Sequence, residues 1–315
     1  MSHFAAGGAR GKNVSVCRWI SHATENEVAL EMEAVLEDGI RIFYQAVGSP
    51  DNYPLIVLHG GPGLDHTEMC PWLDSLGDDF YLIYLDERGQ GRSEQVDPST
   101  LSLSRFAADV TGVAAALGLS RYALLGHSFG AFIALTHAVE RGDASHYIIS
   151  GGTASFTKTS PEIQANLANF EPVELREMVI QSWDMEPTVK TREDCARLME
   201  MQMPFHFASS DSDAYRRYMA LADRCIYSPQ VLAYFAANQY AIELEDQLGT
   251  ITRPTLLITG EFDRTCTPRA SADMHAGIPD SELVIVPEAG HMTYVEHPDA
   301  YFTAVRGFFS RHPIQ

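Results

Sequence analysis

Apolar positions follow three different rhythms in this chain. From Val28 they alternate with charge, placing Leu30, Met32 and Ala34 on one side and Glu31 and Glu33 on the other. Glu37-Asp38-Gly39 breaks that run and Ile40-Arg41-Ile42-Phe43-Tyr44 resumes it, so the spacing predicts a β-hairpin that reverses at Asp38-Gly39. Residues 55–58, 81–85, 122–125, 146–150, 255–259 and 282–286 are instead almost unbroken apolar runs. Strands buried on both faces have this composition, which points to a parallel sheet covered by helices. The third rhythm, with Phe106, Val110, Val113 and Leu117 at helical spacing, predicts a helix over 103–117 that stops at Gly118. Strand and helix alternate, as in a doubly wound α/β sheet.

The alternation lapses between 153 and 248. That stretch is richer in Met, Glu and Arg and reads as helices broken at Pro161, Pro172, Pro187, Pro204 and Pro229. The predicted organisation is an N-terminal extension over 1–25, an α/β core over 26–152 and 249–315, and a helical cap over 153–248. Within the cap, Met199, Met201, Met203, Phe205 and Phe207 alternate around Pro204, as cap packing or as the wall of an apolar pocket.

Composition adds exclusions. With 42 acidic residues against 22 basic ones and a formal charge of −20, the surface repels phosphate backbones and anionic headgroups. Nucleic acid and membranes are therefore not expected partners. The five cysteines, Cys17, Cys70, Cys195, Cys225 and Cys266, lack the pairing of a zinc site or a disulfide framework. Residues 1–30 lack the apolar core of a secretory signal, and no run reaches the length of a membrane helix. The expectation is a cytoplasmic protein without metal or organic cofactor.

One turn carries chemistry. Gly126-His127-Ser128-Phe129-Gly130 joins a buried strand to a helix, where a sharp turn lifts a serine hydroxyl above the sheet. Such a hydroxyl needs a base, and the base an orienting acid. Both follow strands in the order this fold uses. Asp263 stands in Gly260-Glu261-Phe262-Asp263, with Glu261 as the rival acid, and His291 in Pro287-Glu288-Ala289-Gly290-His291. Glu288 and Glu296 read as solvated, and His127 as structural. The loop His59-Gly60-Gly61-Pro62-Gly63 can aim an amide at a reacting carbonyl, so the N–H groups of Gly61 and Phe129 form the expected oxyanion hole.

Taken together, HGGPG at 59–63, Asp86-Glu87-Arg88-Gly89-Gln90-Gly91-Arg92-Ser93, the serine turn, GEFD at 260–263 and Gly290-His291 resemble the proline iminopeptidase family of α/β-hydrolases. The resemblance spans 40–152 and 250–312. It implies an α/β-hydrolase fold with an inserted helical cap, and release of an N-terminal residue from short peptides. It also implies cap acids that hold the substrate's amino group. The matching stretch Ala236-Ala237-Asn238-Gln239-Tyr240 has Gln239 at that place, and Glu200, Asp223 and Glu243 are cap acids that could supply the charge. His59 and Trp183 complete the expected substrate-binding set.

Other readings share the serine. An esterase, lactonase or amidase acting on a small apolar acyl group uses the same machinery, and a non-catalytic ligand receptor can retain it. Epoxide hydrolysis and dehalogenation use a carboxylate at the position of Ser128. The partner expected on every catalytic reading is a small molecule or short peptide, and oligomeric state is left open.

Overall fold

The computed structural model describes residues 30–314 apart from Gln239 and Ala241. The expected extension over 1–25 and the candidate binding residue Gln239 lie outside the described residues.

The hairpin forms as β1 (Leu30–Val35) and β2 (Arg41–Val47), paired antiparallel. β3 (Tyr53–Leu58), β4 (Phe80–Leu85), β5 (Ala123–His127), β6 (Tyr147–Ser150), β7 (Thr255–Gly260) and β8 (Ser281–Val286) follow. They complete one sheet in the order β1-β2-β4-β3-β5-β6-β7-β8, parallel from β4 to β8. This is the α/β-hydrolase arrangement.

Alternate residues of each strand enter opposite cores, as the pleat requires. Ile56, Leu58, Leu124, Ile149 and Leu257 pack on one face, under α1 (Leu103–Ala116) and α2 (Phe129–Glu140). Leu55, Val57, Leu125, Ile148 and Leu256 pack on the other. The strand β8 departs from its apolar sequence. It is an edge strand and Ile285 is 43 % exposed, because a run such as 282–286 reads alike at the edge and at the centre of a sheet.

Between β6 and β7 the chain is helical: α3 (Phe156–Ala168), α4 (Val173–Met185), α5 (Arg192–His206), α6 (Asp213–Met219) and α7 (Pro229–Ala237). α8 (Pro268–Gly277), α9 (Thr293–Glu296) and α10 (Pro298–Arg311) complete the chain. Two of the expected breaks are absent, since Pro161 lies inside α3 and Pro204 inside α5. Each removes one backbone donor without ending its helix. The alternation around Pro204 is therefore not extended structure. Met199 and Met203, one helical turn apart, share a face that excludes Met201 from the cavity described below.

The DERGQGRS segment after β4 ties three elements together. Arg88 makes a two-pronged pair with Asp109 of α1, Nε–Oδ2 2.7 Å and Nη2–Oδ1 2.6 Å, and reaches Asp38 of the hairpin turn at 2.8 Å. Both Arg88 and Asp109 are buried. Asp109→Ala leaves the guanidinium without its main partner and is expected to lower stability by about 3 kcal/mol in urea unfolding. A loss under about 0.5 kcal/mol would show that solvent takes over the pairing.

Candidate active site

β5 ends at His127 and α2 begins at Phe129, so Ser128 makes the whole turn, at φ 53° and ψ −115°. Non-glycine residues rarely occupy this region, and it persists only where neighbours enforce it. Ser128 N–H donates to Ser150 O at 2.9 Å, and Ser128 O accepts from Ala131 N–H at 2.9 Å. A Cβ on Gly126 would lie 2.1 Å from Gly130 O, and one on Gly130 would lie 2.4 Å from Leu58 O. Only glycine permits those two backbone approaches.

Asp263 and His291 stand on the loops after β7 and β8. His291 Nδ1 lies 2.7 Å from Asp263 Oδ2. A carboxylate only accepts, so Nδ1 carries the proton and Nε2 the lone pair. The other Asp263 oxygen accepts from Thr265 N–H and Cys266 N–H, each at 2.9 Å, which fixes the carboxylate. Burial opposes charge on the imidazole, but Asp263 outweighs it and holds the His291 pKa above the usual histidine value. The rings of His127 and His206 flank His291 at 4.6 and 5.2 Å. Burial first, and the charge of His291 second, press both of their pKa values well below normal, so they stay neutral. Glu261, the rival acid, is exposed and accepts from Glu288 N–H at 3.0 Å.

The loop after β3 is held from behind. Gly60 N–H donates to Glu68 Oε2 at 2.5 Å and Gly63 N–H to Gln90 Oε1 at 2.5 Å. Pro62 has no N–H, and the Gly61 amide has no acceptor among the described residues. Phe129 opens α2, where a first N–H has no intrahelical acceptor. His59 differs from expectation. It is 1 % exposed, lies outside the cavity wall and supports the loop instead, with Nδ1 2.7 Å from Gly60 O and Nε2 in an ion pair with Glu87. Burial lowers its pKa, but Glu87 overrides this and raises it to about 10.

A cavity lies between the sheet's C-terminal edge and the helical insertion, lined by Ser128, His291, Gly61, Trp183, Met199 and Glu186 among others. Four predicted residues, Ser128, His291, Gly61 and Trp183, thus share one cavity wall, and Asp263 reaches it through His291. Glu200 and Asp223 do not, being exposed on the surface. Glu243 caps α3 through Ser155 Oγ at 2.6 Å and Thr157 N at 2.7 Å. The cavity's carboxylates are two that the sequence did not single out. Glu186 accepts from Gln202 Nε2 at 2.7 Å and Tyr240 OH at 2.6 Å, and burial raises its pKa. Glu68 is likewise pushed up by burial, to about 7, against the pull of Gly60 N–H and of His59 and His291. Only Pro187, which stops helical periodicity just after Glu186, hinted that this acid leaves a helix surface.

The comparisons with known proteins give the family. The family described as Serine aminopeptidase, S33, matches residues 66–298. The chain belongs to that family. It is 26 % identical to the proline iminopeptidase PfmaB of Pestalotiopsis fici, over 89 % of this chain and 100 % of that one. An α/β fold family hydrolase from Bacillus anthracis superposes with TM-score 0.75 at 18 % identity, covering 89 % of this chain and 99 % of its own. Proline iminopeptidase from Mycobacterium smegmatis does so with TM-score 0.70 at 24 % identity, covering 90 % and 98 %. The S33 chain is thus a serine hydrolase by kinship.

Asp65, His66 and Asp86 of this S33 hydrolase form a buried cluster, but their groups are already engaged. Asp86 accepts from His66 N–H, His66 Nδ1 and Arg92 N–H, and Asp65 from Thr67 N–H and Ile226 N–H. The cluster knots loops together rather than offering free ligands. Glu296, expected to be solvated, has a structural task too: its carboxylate accepts from Ala208 N–H at 2.7 Å and Gly290 N–H at 2.8 Å, joining the end of the α5 segment to the His291 loop. Glu296→Ala strands two amides and is expected to cost about 2–4 kcal/mol in chemical unfolding. An unchanged midpoint would mean that neither bond matters.

Proposed function

We propose that this S33 hydrolase is an aminopeptidase of the proline iminopeptidase type, releasing proline or another small apolar N-terminal residue from short peptides or amides. On this reading residues 153–248 act as a cap over the α/β core. Ser128 Oγ attacks the carbonyl carbon while His291 Nε2 takes its proton, and Asp263 keeps the imidazole aligned. The N–H groups of Gly61 and Phe129 face the oxyanion. His291 then protonates the departing amine, and water deacylates the serine by the same route in reverse. A reducing cytoplasm suits the chain, since Cys70, Cys195, Cys225 and Cys266 are free thiols.

The observation that carries the substrate assignment is Glu186. It is a buried carboxylate in the wall that also contains Ser128 and His291, its partners are neutral, and among the described residues no Lys or Arg lines the cavity. A carboxylate in such surroundings favours a cation, and a substrate ammonium is the cation of the right size. The relatives named for proline iminopeptidase activity support the same reading.

Replacing Glu186 by Gln tests it. kcat/KM for proline p-nitroanilide is expected to fall about 30-fold or more, chiefly through KM, the scale of a lost buried charge pair. p-Nitrophenyl acetate, which has no amine, should change far less. Equal losses on both, or ester turnover with no prolyl turnover by the parent enzyme, would leave an esterase or lactonase.

Acid inactivation supplies a second test. His291 must be neutral to accept a proton, and its raised pKa means that activity on esters falls as pH drops through a value above the usual histidine range. Asp263→Asn removes the charge that raises it, so the acid limb should move to lower pH while the plateau falls by about 10⁴. A limb that stays in place would assign the titration to another group.

A further inference from the structure

The active-site cavity has a neighbour. A second, smaller hollow lies beside the loop after β3 and is walled by Trp72, Tyr218, Met219, Leu221, Ala222 and Cys225. It shares five side chains with the first cavity: Leu64, Glu68, Met199, Met203 and Tyr227. Those five residues stand between the two spaces. Two of them are methionines, unbranched and easily re-packed, which makes the partition deformable. Trp72, Leu221 and Ala222 are partly exposed, so the hollow reaches the surface. Ser128, His291 and Glu186 line the first space only.

Charge distinguishes this pair of spaces from a peptide-binding groove. Among the described residues neither wall contains Lys or Arg, and the acids are Glu186 in the first and Glu68 between the two. A dipeptide's terminal carboxylate entering the second hollow would lose its water beside Glu68, with no Lys or Arg among the described wall residues to meet it. Buried charge without a partner costs several kcal/mol. An aryl or alkyl group would instead bury its surface against Trp72, Tyr218 and Met219.

We infer that the second hollow receives the leaving group, and that the preferred leaving group is an apolar, uncharged amine, so the substrate is an aminoacyl amide rather than a free dipeptide. The inference rests on the proposed seating of the substrate amine at Glu186. With that amine at Glu186 and the carbonyl at Ser128, the acyl portion fills the first space, and what lies beyond the scissile bond passes the methionine partition. The amide C–N bond breaks as the Ser128 ester forms, the serine proton leaves on the amine by way of His291, and water hydrolyses the ester.

Two comparisons decide it. Prolyl-phenylalanine and prolyl-phenylalaninamide differ only in the carboxylate, and kcat/KM is expected to favour the amide at least about tenfold. Parity, or preference for the acid, overturns the charge argument. Ala222→Trp narrows the hollow at its rim and is expected to reduce kcat/KM for prolyl-β-naphthylamide about tenfold more than for prolinamide, whose leaving group is ammonia. Equal effects overturn the leaving-group assignment, and prolinamide turnover also reports that the variant folds. Failure of the aminopeptidase reading looks different: prolyl substrates are then inert while esters are cleaved. The Ala222→Trp contrast, read on naphthyl against methyl esters of one acid, then still supports or overturns the second hollow as the leaving-group site.

Discussion

Backbone meets backbone along the C-terminal edge of the sheet, and the site depends on those contacts. Gly126 lies against Gly130, Gly130 against the end of β3, and Gly260 against the His291 loop, where a Cβ would fall 2.0 Å from Gly290 O. Gly290 in turn touches Ala208, His206 and Phe207 at the end of α5. Side chains have rotamers and can yield, whereas main chain in contact with main chain has little room to move. The elbow serine, the acid loop and the histidine loop are therefore indexed to one another through the sheet rather than through long side chains. The unusual backbone at Ser128 survives because this packing over-determines it.

The helical insertion is tied to the same edge by polar groups. His291 N–H donates to His206 O at 2.7 Å, and Arg264 of the acid loop reaches Phe207 O at 2.7 Å. Glu296 bridges both sides through Ala208 and Gly290. The carbonyls at the end of a helix lack intrahelical donors, and here loop amides and a guanidinium satisfy them. The wall of the cavity and the histidine that faces it consequently share anchors. A disturbance of α5 reaches His291 without crossing the cavity.

Much of this was legible in the sequence because it depends on local rules. Buried strands announce themselves by unbroken apolar runs, and a serine between glycines after such a strand has few structural uses. Asp263 and His291 were singled out by their places after strands, and the structure brings them within hydrogen-bond distance, since the parallel topology delivers every such loop to one edge. The failures share a cause as well. His59 and Glu296 looked like a binding residue and a solvated acid, but their partners, Glu87 and two backbone amides, are set by tertiary contact. Glu200 was suggested by its place in the insertion, yet helical phase turns it outward, while Glu186 is turned inward just after α4 ends at Met185. Helical period predicts a face and not which neighbour covers it.

The two cavity acids have a consequence for how the enzyme would meet an amine. Glu186 receives two neutral donors, and burial raises its pKa, so in an empty cavity it is easier to protonate than a surface glutamate. An arriving ammonium reverses that preference, because a nearby positive charge stabilises the carboxylate. Binding of a protonated amine at Glu186 is then linked to release of any proton the acid holds, and affinity for the amine weakens as pH falls. Glu68 responds to the other partner. It shares the field of His291, so the imidazolium formed during serine attack lowers the cost of its ionised form. On the proposed reaction, positive charge arises beside both buried acids, one during binding and one during chemistry, which would give a physical reason for an apolar cavity to retain two carboxylates that burial alone disfavours.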